Sequence, residues 1–217
     1  TGTINTWGSR CESSSTFLGY STSVGSEVVY EAARADHGMP IFDSSNNKVV
    51  IVYADNGDSD YGKAIVGTVS GSSVSYGTAV TFNAATTTRI SGTFDSDSNK
   101  VVIAYRDDGD SNKTKAIVGT VSGTSISFGS DATITTNATG NPTSTTFDSN
   151  SNKVVVFYRD DGNSEYGTAA VGTVSGTSIS FGTPVVFESA TIGIIQSSST
   201  FDSSNNKTVV AYRDVGN

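Results

Sequence analysis

The apolar residues of this chain fall into short runs of β-branched and aromatic side chains, separated by polar turn residues. Val101–Tyr105 is one such run, flanked by Asn, Lys, Arg and Asp. Apolar runs of about four to eight residues between Gly, Asn, Asp and Ser clusters are typical of β-strands. No useful window has apolar residues at the i, i+3, i+4, i+7 spacing of an amphipathic helix. The pattern therefore predicts an all-β protein.

The same run recurs four times along the chain. Segments that begin at Phe42, Phe94, Phe147 and Phe201 read FDSSNNKVVIVYADNG, FDSDSNKVVIAYRDDG, FDSNSNKVVVFYRDDG and FDSSNNKTVVAYRDVG, at spacings of 52, 53 and 54 residues. A second shared block, such as KAIVGTVSGTSISFG, follows the first three. Self-similarity at a fixed period is the sequence signature of a repeat architecture. The chain is therefore predicted to consist of tandem units of about 53 residues.

Each unit divides into four short strands, which we name a to d. In the third unit we expect strand a at 144–148, strand b at 153–159, strand c at 168–175 and strand d at 178–187. An Asp-Ser-Asn turn joins a to b, and a Ser-Gly turn joins c to d. Four antiparallel strands in about 50 residues are typical of a propeller blade, whereas an immunoglobulin-like module needs about 100. We predict one domain over 1–217, a four-bladed β-propeller.

The two ends of the chain are expected to close the ring. The last unit stops after strand b at Asn217, while residues 23–31 resemble residues 180–188 at the end of the third unit. Residues 1–31 would then supply strands c and d of the fourth blade, with Trp7 and Cys11 packed in the closure, and two exposed sheet edges would disappear. The alternative is an excerpt of a longer open array; a chain that begins at Thr1 is expected to be processed or part of something longer.

The net charge of the chain argues against two classes of binding partner. The formal charge of −8 argues against nucleic acid and anionic membranes, both of which need a basic surface. No stretch approaches the roughly 20 apolar residues that span a bilayer. The acidic stretches, such as 107–110, suggest calcium, but glycine stands in third place and a solvated turn is the preferred interpretation. We expect no metal and no cofactor.

Comparison of the four units distinguishes positions with a structural role from positions that could bind a ligand. The a–b and c–d turns are nearly uniform, whereas the d–a loops on the other face vary, and binding residues tend to lie on loops held by a rigid scaffold. The candidate ligand-binding residues on that face are Arg34, Asp36, His37, Arg89, Tyr105, Arg106, Tyr158, Arg159, Tyr212 and Arg213. The Tyr and Arg side chains could stack on and hydrogen-bond to a sugar. The alternative is architectural: each Arg pairs with an Asp such as Asp107, Asp160 or Asp214.

Catalysis is not expected. His37 beside Asp36 is a weak acid–base signal because no nucleophile lies near them in sequence. Asn112, Asn137 and Asn206 begin N-glycosylation sequons, which matter only in a eukaryotic secretory context.

Two resemblances bear on function. The order Thr-Phe-Asp, turn, Asn-Lys-Val-Val-Ile-Ala-Tyr, then Gly-Thr-Val-Ser-Gly-Thr-Ser-Ile-Ser-Phe-Gly resembles a blade of sialidase-like propellers, although 122–128 lacks the aspartate of their Asp-box. Residues 23–217 also resemble Ser/Thr-rich repeats in surface and tail-fibre proteins of marine phages and large viruses. The resemblance implies an extracellular or virion-surface location. We therefore expect a non-catalytic module that binds a glycan or cell-surface ligand; the alternative is a structural building block of a fibre or filament, with neighbouring copies as partners.

Overall fold

The computed structural model of the chain describes residues 27–134, 140–193 and 197–215. The predictions for Trp7, Cys11 and Asn137 lie outside these residues. Within them the chain forms antiparallel strands and one short 3₁₀ turn, so the all-β prediction is confirmed. No helix in these ranges is long and apolar enough to cross a membrane. The strands are β1 Ala35–Asp43, β2 Lys48–Asp55, β3 Tyr61–Ser70, β4 Ser73–Tyr76, β5 Val80–Asp95, β6 Lys100–Asp107, β7 Lys113–Ser122, β8 Ser125–Phe128, β9 Ala132–Thr133, β10 Gly140–Asp148, β11 Lys153–Asp160, β12 Tyr166–Ser175, β13 Ser178–Phe181, β14 Val185–Thr191, β15 Ser198–Asp202 and β16 Lys207–Ala211.

The strands are grouped in repeating units. In unit 1 (35–86), β1, β2 and β3 form a meander, and β4 and the first half of β5 both pair with the far edge of β3. The second half of β5 pairs with β6 and so opens unit 2 (87–134). Unit 3 (140–191) repeats the arrangement with β10 to β14. Unit 4 (198–211) contributes the pair β15–β16.

Strand d differs from its prediction. It was expected as one strand over 178–187, but it is two pieces, β13 and β14, that pair with different ends of β12. Gly182 interrupts it, and the amide of Gly182 still donates to the carbonyl of Val171 at 3.0 Å. Strand c is also longer than expected, because β12 begins at Tyr166.

Strand b is the centre of each sheet and is apolar on both faces. Val50 and Val52 of β2 are fully buried against Val101 and Ile103 of β6. The alternate residues of β6, such as Val102, are buried against β11 in the same way. Because side chains alternate across a strand, one face of each strand b packs on the preceding unit and the other on the following unit. The units are therefore stacked face to face in chain order.

The stack leaves two apolar end faces that no described unit covers. On unit 1, Phe42 and Val69 are 57% and 54% exposed, and they line a groove of about 360 Å³. On unit 4, Val209 is 51% exposed. The residue of unit 2 that corresponds to Val209 is Val102, which is fully buried, so the exposure of Val209 marks a position at the end of the stack.

The a–b turns are built by one aspartate each. Asp43, Asp95, Asp148 and Asp202 use Oδ1 to accept the backbone N–H of the residues two and three positions later, at 2.9–3.2 Å. The asparagine that ends each turn is left-handed, with φ between 51° and 56°. Asn tolerates this conformation better than most residues. The uniform turn sequence therefore has a structural cause.

We expect Asp95→Ala to lower the free energy of unfolding by about 2 kcal/mol, because loss of the buried carboxylate would leave two backbone N–H groups without their acceptor. Asp95 is 3% exposed. Urea unfolding followed by circular dichroism measures the loss. Asp202→Ala, in the solvent-exposed equivalent turn, is the matched control and should cost less, since water can replace the lost bonds. Equal losses in both variants would contradict this account.

Candidate functional site

The candidate residues lie where each d–a crossover meets the b–c turn of the following unit, a surface that we call the crossover face. It comprises the crossovers 33–37, 85–89 and 191–193 and the turns 55–61, 107–113, 160–166 and 213–215. The same hydrogen bond joins the two parts three times. The amides of Asn56, Asp108 and Val215 donate to the carbonyls of Arg34, Thr86 and Thr191, at 3.0, 2.9 and 2.9 Å.

Close approach explains the glycine of the Asp-x-Gly turns. A Cβ on Gly57 would lie 2.7 Å from Cβ of Ala33, and a Cβ on Gly109 would lie 2.6 Å from Cβ of Ala85. Real Cβ atoms do not come so close, so a side chain here would push the crossover off the turn. Each crossover and the b–c turn that it contacts therefore hold each other in a fixed position.

The tyrosines of the repeat lie in the core and not on the binding surface that we expected for Tyr105 and Tyr158. Tyr105 is 1% exposed and Tyr158 is fully buried. The reason is that β6 and β11 extend past the tyrosine to the following aspartate, so the ring stays between two stacked sheets. The stacking role that we expected for these two rings is corrected accordingly. Tyr212 is partly buried.

Two of these tyrosines pack against an aromatic ring that lies about 23 residues earlier in the chain. Tyr30 packs edge-on against Tyr53 and Phe82 against Tyr105, both with ring centroids 5.2 Å apart. Such edge-to-face pairs add to the area that they bury. Burial raises the pKa of Tyr53, Tyr105 and Tyr158 far above its ordinary value, so these phenols stay neutral at physiological pH.

Two glutamates accept a hydrogen bond from the hydroxyl groups of strand-b tyrosines. The hydroxyl of Tyr53 donates to Oε2 of Glu31 at 3.2 Å, and that of Tyr212 donates to Oε2 of Glu188 at 2.7 Å. This hydrogen bond raises the pKa of Tyr212. The sequence contains the signal, since Glu follows Val-Val-aromatic in both segments, but we did not assign a role to it.

The aspartate after Tyr-Arg is buried and paired with lysine. Asp107 is 4% exposed; its Oδ1 accepts the amide of Gly109 at 3.0 Å and its Oδ2 lies 2.9 Å from Nζ of Lys115. Asp55 repeats this with Gly57 and Lys63. Burial opposes charge on Lys115, but hydrogen bonds to Asp107, Asp131 and Asp110 raise its pKa. Internal lysines therefore neutralise the acidic turns.

Metal ligands were not expected in these turns. In the described ranges, no group of three or more His, Cys, Asp or Glu side chains could hold a metal ion. The lysines explain the acidic composition of the first two turns, because their ammonium groups occupy the position where a cation would bind.

The arginines of the repeat are largely engaged with neighbouring side chains. Nε of Arg106 lies 2.8 Å from Asp108, and Nε of Arg159 lies 2.6 Å from Asp161. Arg106 also donates to Oδ1 of Asn141 in unit 3 at 3.0 Å. The architectural alternative therefore describes these two residues, although each partner is one position later than the Asp107 and Asp160 named from the sequence. Arg213 is exposed.

The remaining candidates share a bulge in strand a. The pairing register shifts between Asp36 and Met39 in unit 1 and between Thr88 and Ser91 in unit 2. His37 and Arg89 occupy equivalent positions in these bulges, with φ of 56° and 52°. Bulges re-aim side chains and are frequent next to functional sites.

The charges around this pair are mixed. Burial lowers the pKa of His37, the charge of Arg89 lowers it further, and Asp36, Asp108 and Asp60 act in the opposite direction. The guanidinium of Arg34 pairs with Asp36 at 3.0 Å, and its side chain is 77% exposed. These residues offer neutral imidazole, guanidinium and carboxylate groups to a ligand.

No protein-family model and no curated protein matches the chain. The crossover face therefore has to be interpreted from its own chemistry. Its exposed groups are hydrogen-bond donors and acceptors on a fixed backbone, an arrangement suited to binding.

We expect Lys115→Met to lower the free energy of unfolding by about 3 kcal/mol, because Asp107 would keep a buried charge without a counterion. Lys113→Met is the matched control: this lysine pairs with Asp110 at the rim and its side chain is 32% exposed. Its loss should cost less than about 1 kcal/mol. Chemical unfolding of both variants at pH 7 tests the difference, and equal values would show that the buried pair is not structural.

Proposed function

We propose that the chain is a non-catalytic binding and display module at an extracellular or virion surface, with a glycan or another cell-surface molecule as its ligand. The observation that carries the proposal is the repeated bulge. His37 and Arg89 stand at the same backbone position in successive units, and the chemistry of the side chain differs between them. A fixed backbone that presents different side chains is the arrangement used by binding scaffolds.

The burial of the tyrosines limits the kinds of ligand that this face can bind. Without exposed rings at Tyr105 and Tyr158, recognition on this face rests on hydrogen bonds and charge. Arg89 and Arg213 favour a sugar that carries a carboxylate or sulfate, because guanidinium groups bind such anions in a forked geometry. Acidic glycans are therefore the ligand class that we favour.

A glycan array with acidic and neutral sugars tests the proposal. We expect Arg89→Ala to weaken binding of an acidic glycan about tenfold, since a hydrogen bond to a charged group is worth roughly 1.5 kcal/mol. Ser45→Ala, an exposed residue in an a–b turn, is the control and should bind normally. Absence of binding to every glycan at high protein concentration would eliminate this ligand class.

We propose further that the units form a closed four-bladed ring, with residues 1–31 completing the fourth blade. In support, Tyr30 and Glu31 contact Tyr53 as Phe187 and Glu188 contact Tyr212, the first pair at the start of unit 1 and the second at the start of unit 4. Tyr30 and Glu31, just before unit 1, thus make the same contacts that Phe187 and Glu188 of β14 make with unit 4. The two apolar end faces would cover each other in such a ring.

The alternative is a structural block of a fibre. The same end faces favour it: the groove on unit 1 and the exposed Val209 on unit 4 would be covered equally well if one copy stacked head to tail on the next. A heterologous contact of this kind forms a filament when it does not close. In the closed ring the end faces of units 1 and 4 belong to one chain, whereas in the fibre they belong to two neighbouring chains.

Cysteine cross-linking distinguishes the two arrangements. Neighbouring a strands are joined by hydroxyl contacts, Ser91 to Thr145 at 2.6 Å and Ser144 to Ser199 at 2.7 Å. Continuing this register around a ring places Ser198 beside Pro40. In a Cys11→Ser background, we expect Ser198→Cys with Pro40→Cys to form a disulfide within one chain upon mild oxidation.

Ser144→Cys with Ser199→Cys is the positive control, because its intrachain disulfide requires only the observed contact. Non-reducing gels and mass spectrometry give the outcome. A disulfide that links chains into a ladder would support the fibre. Absence of any bond in the test pair, with the control pair oxidised, would contradict both arrangements.

A further inference from the structure

Unit 3 departs from the aspartate–lysine pattern of units 1 and 2. Lys63 and Lys115 each lie directly opposite the strand-b tyrosine, in the register pairs Tyr53–Lys63 and Tyr105–Lys115. In unit 3 the corresponding pair is Tyr158–Thr168. The side chain that supplies an ammonium group in the first two units is therefore replaced by a short hydroxyl.

The aspartate of this unit is nevertheless retained and buried. Asp160 is 7% exposed, and its Oδ1 accepts the amide of Gly162 at 3.1 Å. No described lysine or arginine forms an ion pair with it. Its neighbour Arg159 points to the other face of β11, where it pairs with Asp161 and Glu165 at 2.6 and 3.5 Å. A buried carboxylate is thus left without the counterion that units 1 and 2 provide.

A second polar atom lies at the same place. The hydroxyl of Tyr158 is buried and has no hydrogen-bond partner among the described residues. Tyr158 and Asp160 are two residues apart on β11 and so face the same side, with Thr168 directly across on β12. Burial of such groups without a partner is unfavourable. The register therefore gathers a phenol, a carboxylate and a hydroxyl around the space that a lysine ammonium fills in unit 2.

We propose that Tyr158, Asp160 and Thr168, with Asn163 from the turn, bind a monovalent cation of ammonium size, K⁺ or NH₄⁺. Unit 2 supports the size and charge, because there the same position holds an ammonium nitrogen 2.9–3.0 Å from the carboxylates of Asp107, Asp110 and Asp131. Hard cations bind oxygen, and the four side chains offer oxygen ligands.

The charge of the ligand set indicates a monovalent ion. Asn163 occupies the position of Asp58 in unit 1 and Asp110 in unit 2, so Asp160 is the one carboxylate of the set. Calcium takes six to eight oxygens and is held by several carboxylates.

Thermal unfolding in different chloride salts at one ionic strength tests the site. For the whole chain we expect the Tm to be about 3 °C higher in KCl or NH₄Cl than in choline chloride, because an ion that binds only the folded state stabilises it. Choline is too large for the space of a lysine head group. The same Tm in all three salts would overturn the proposal.

Two variants assign the effect to this site. Thr168→Lys rebuilds the lysine of units 1 and 2, and its Tm should be the same in all three salts and at least that of the unmodified chain in KCl. Asp160→Asn removes the carboxylate and should also abolish the salt difference. A potassium effect that persists in Asp160→Asn would place the ion elsewhere and overturn the assignment, even if Thr168→Lys does not fold. A Tm that responds to acidification alone would mean that Asp160 binds a proton in place of the cation.

Discussion

Burial of both faces of strand b is the constraint on which the rest of this molecule depends. In unit 2, Val101 and Ile103 on one face of β6 are buried against unit 1, and Val102 and Ala104 on the other face are buried against unit 3. Each unit therefore needs a unit before it and a unit after it. In repeat proteins stability comes from such nearest-neighbour interfaces. The first and last units are the places where this requirement is still open among the described residues.

The Tyr-Arg-Asp sequence follows from the same constraint. Because side chains alternate along a strand, Tyr105 and Asp107 point toward the preceding unit and Arg106 points toward the following one. The tyrosine meets Phe82, the aspartate folds back on its own turn, and the arginine reaches Asn141. One tripeptide thus connects three successive units. Its repetition is explained by architecture, and the binding chemistry is left to the bulge positions.

Much of the fold could be predicted because its signals are local. The β-branched runs, the Asp-Ser-Asn turns and the 52–54-residue spacing all lie within a few residues of what they determine. The burial of the strand-b tyrosine could not be predicted in this way. A tyrosine followed by Arg-Asp resembles the start of a loop, and only the pairing of β6 with β7 as far as Asp107 shows that the ring is still inside the sheet. His37 and Arg89 could be named as candidates from the variable d–a loops, but the bulges that give them equivalent positions depend on the pairing of strands a and b, which no local pattern encodes.

The charged residues around Lys115 in unit 2 can be compared directly with their counterparts in unit 3. Where Lys115 becomes Thr168, two of the three carboxylates around it are also replaced, since Asp110 corresponds to Asn163 and Asp131 to Pro184. Asp107 is the exception and is kept as Asp160. Its second role explains this, because Oδ1 accepts the amide of the turn glycine in both units. Removal of that carboxylate would take away the acceptor of the turn glycine's backbone N–H, the hydrogen bond that holds the turn. The hydrogen bond that forms the turn therefore requires an aspartate at position 160, even though the lysine that pairs with its equivalent in unit 2 is replaced by Thr168.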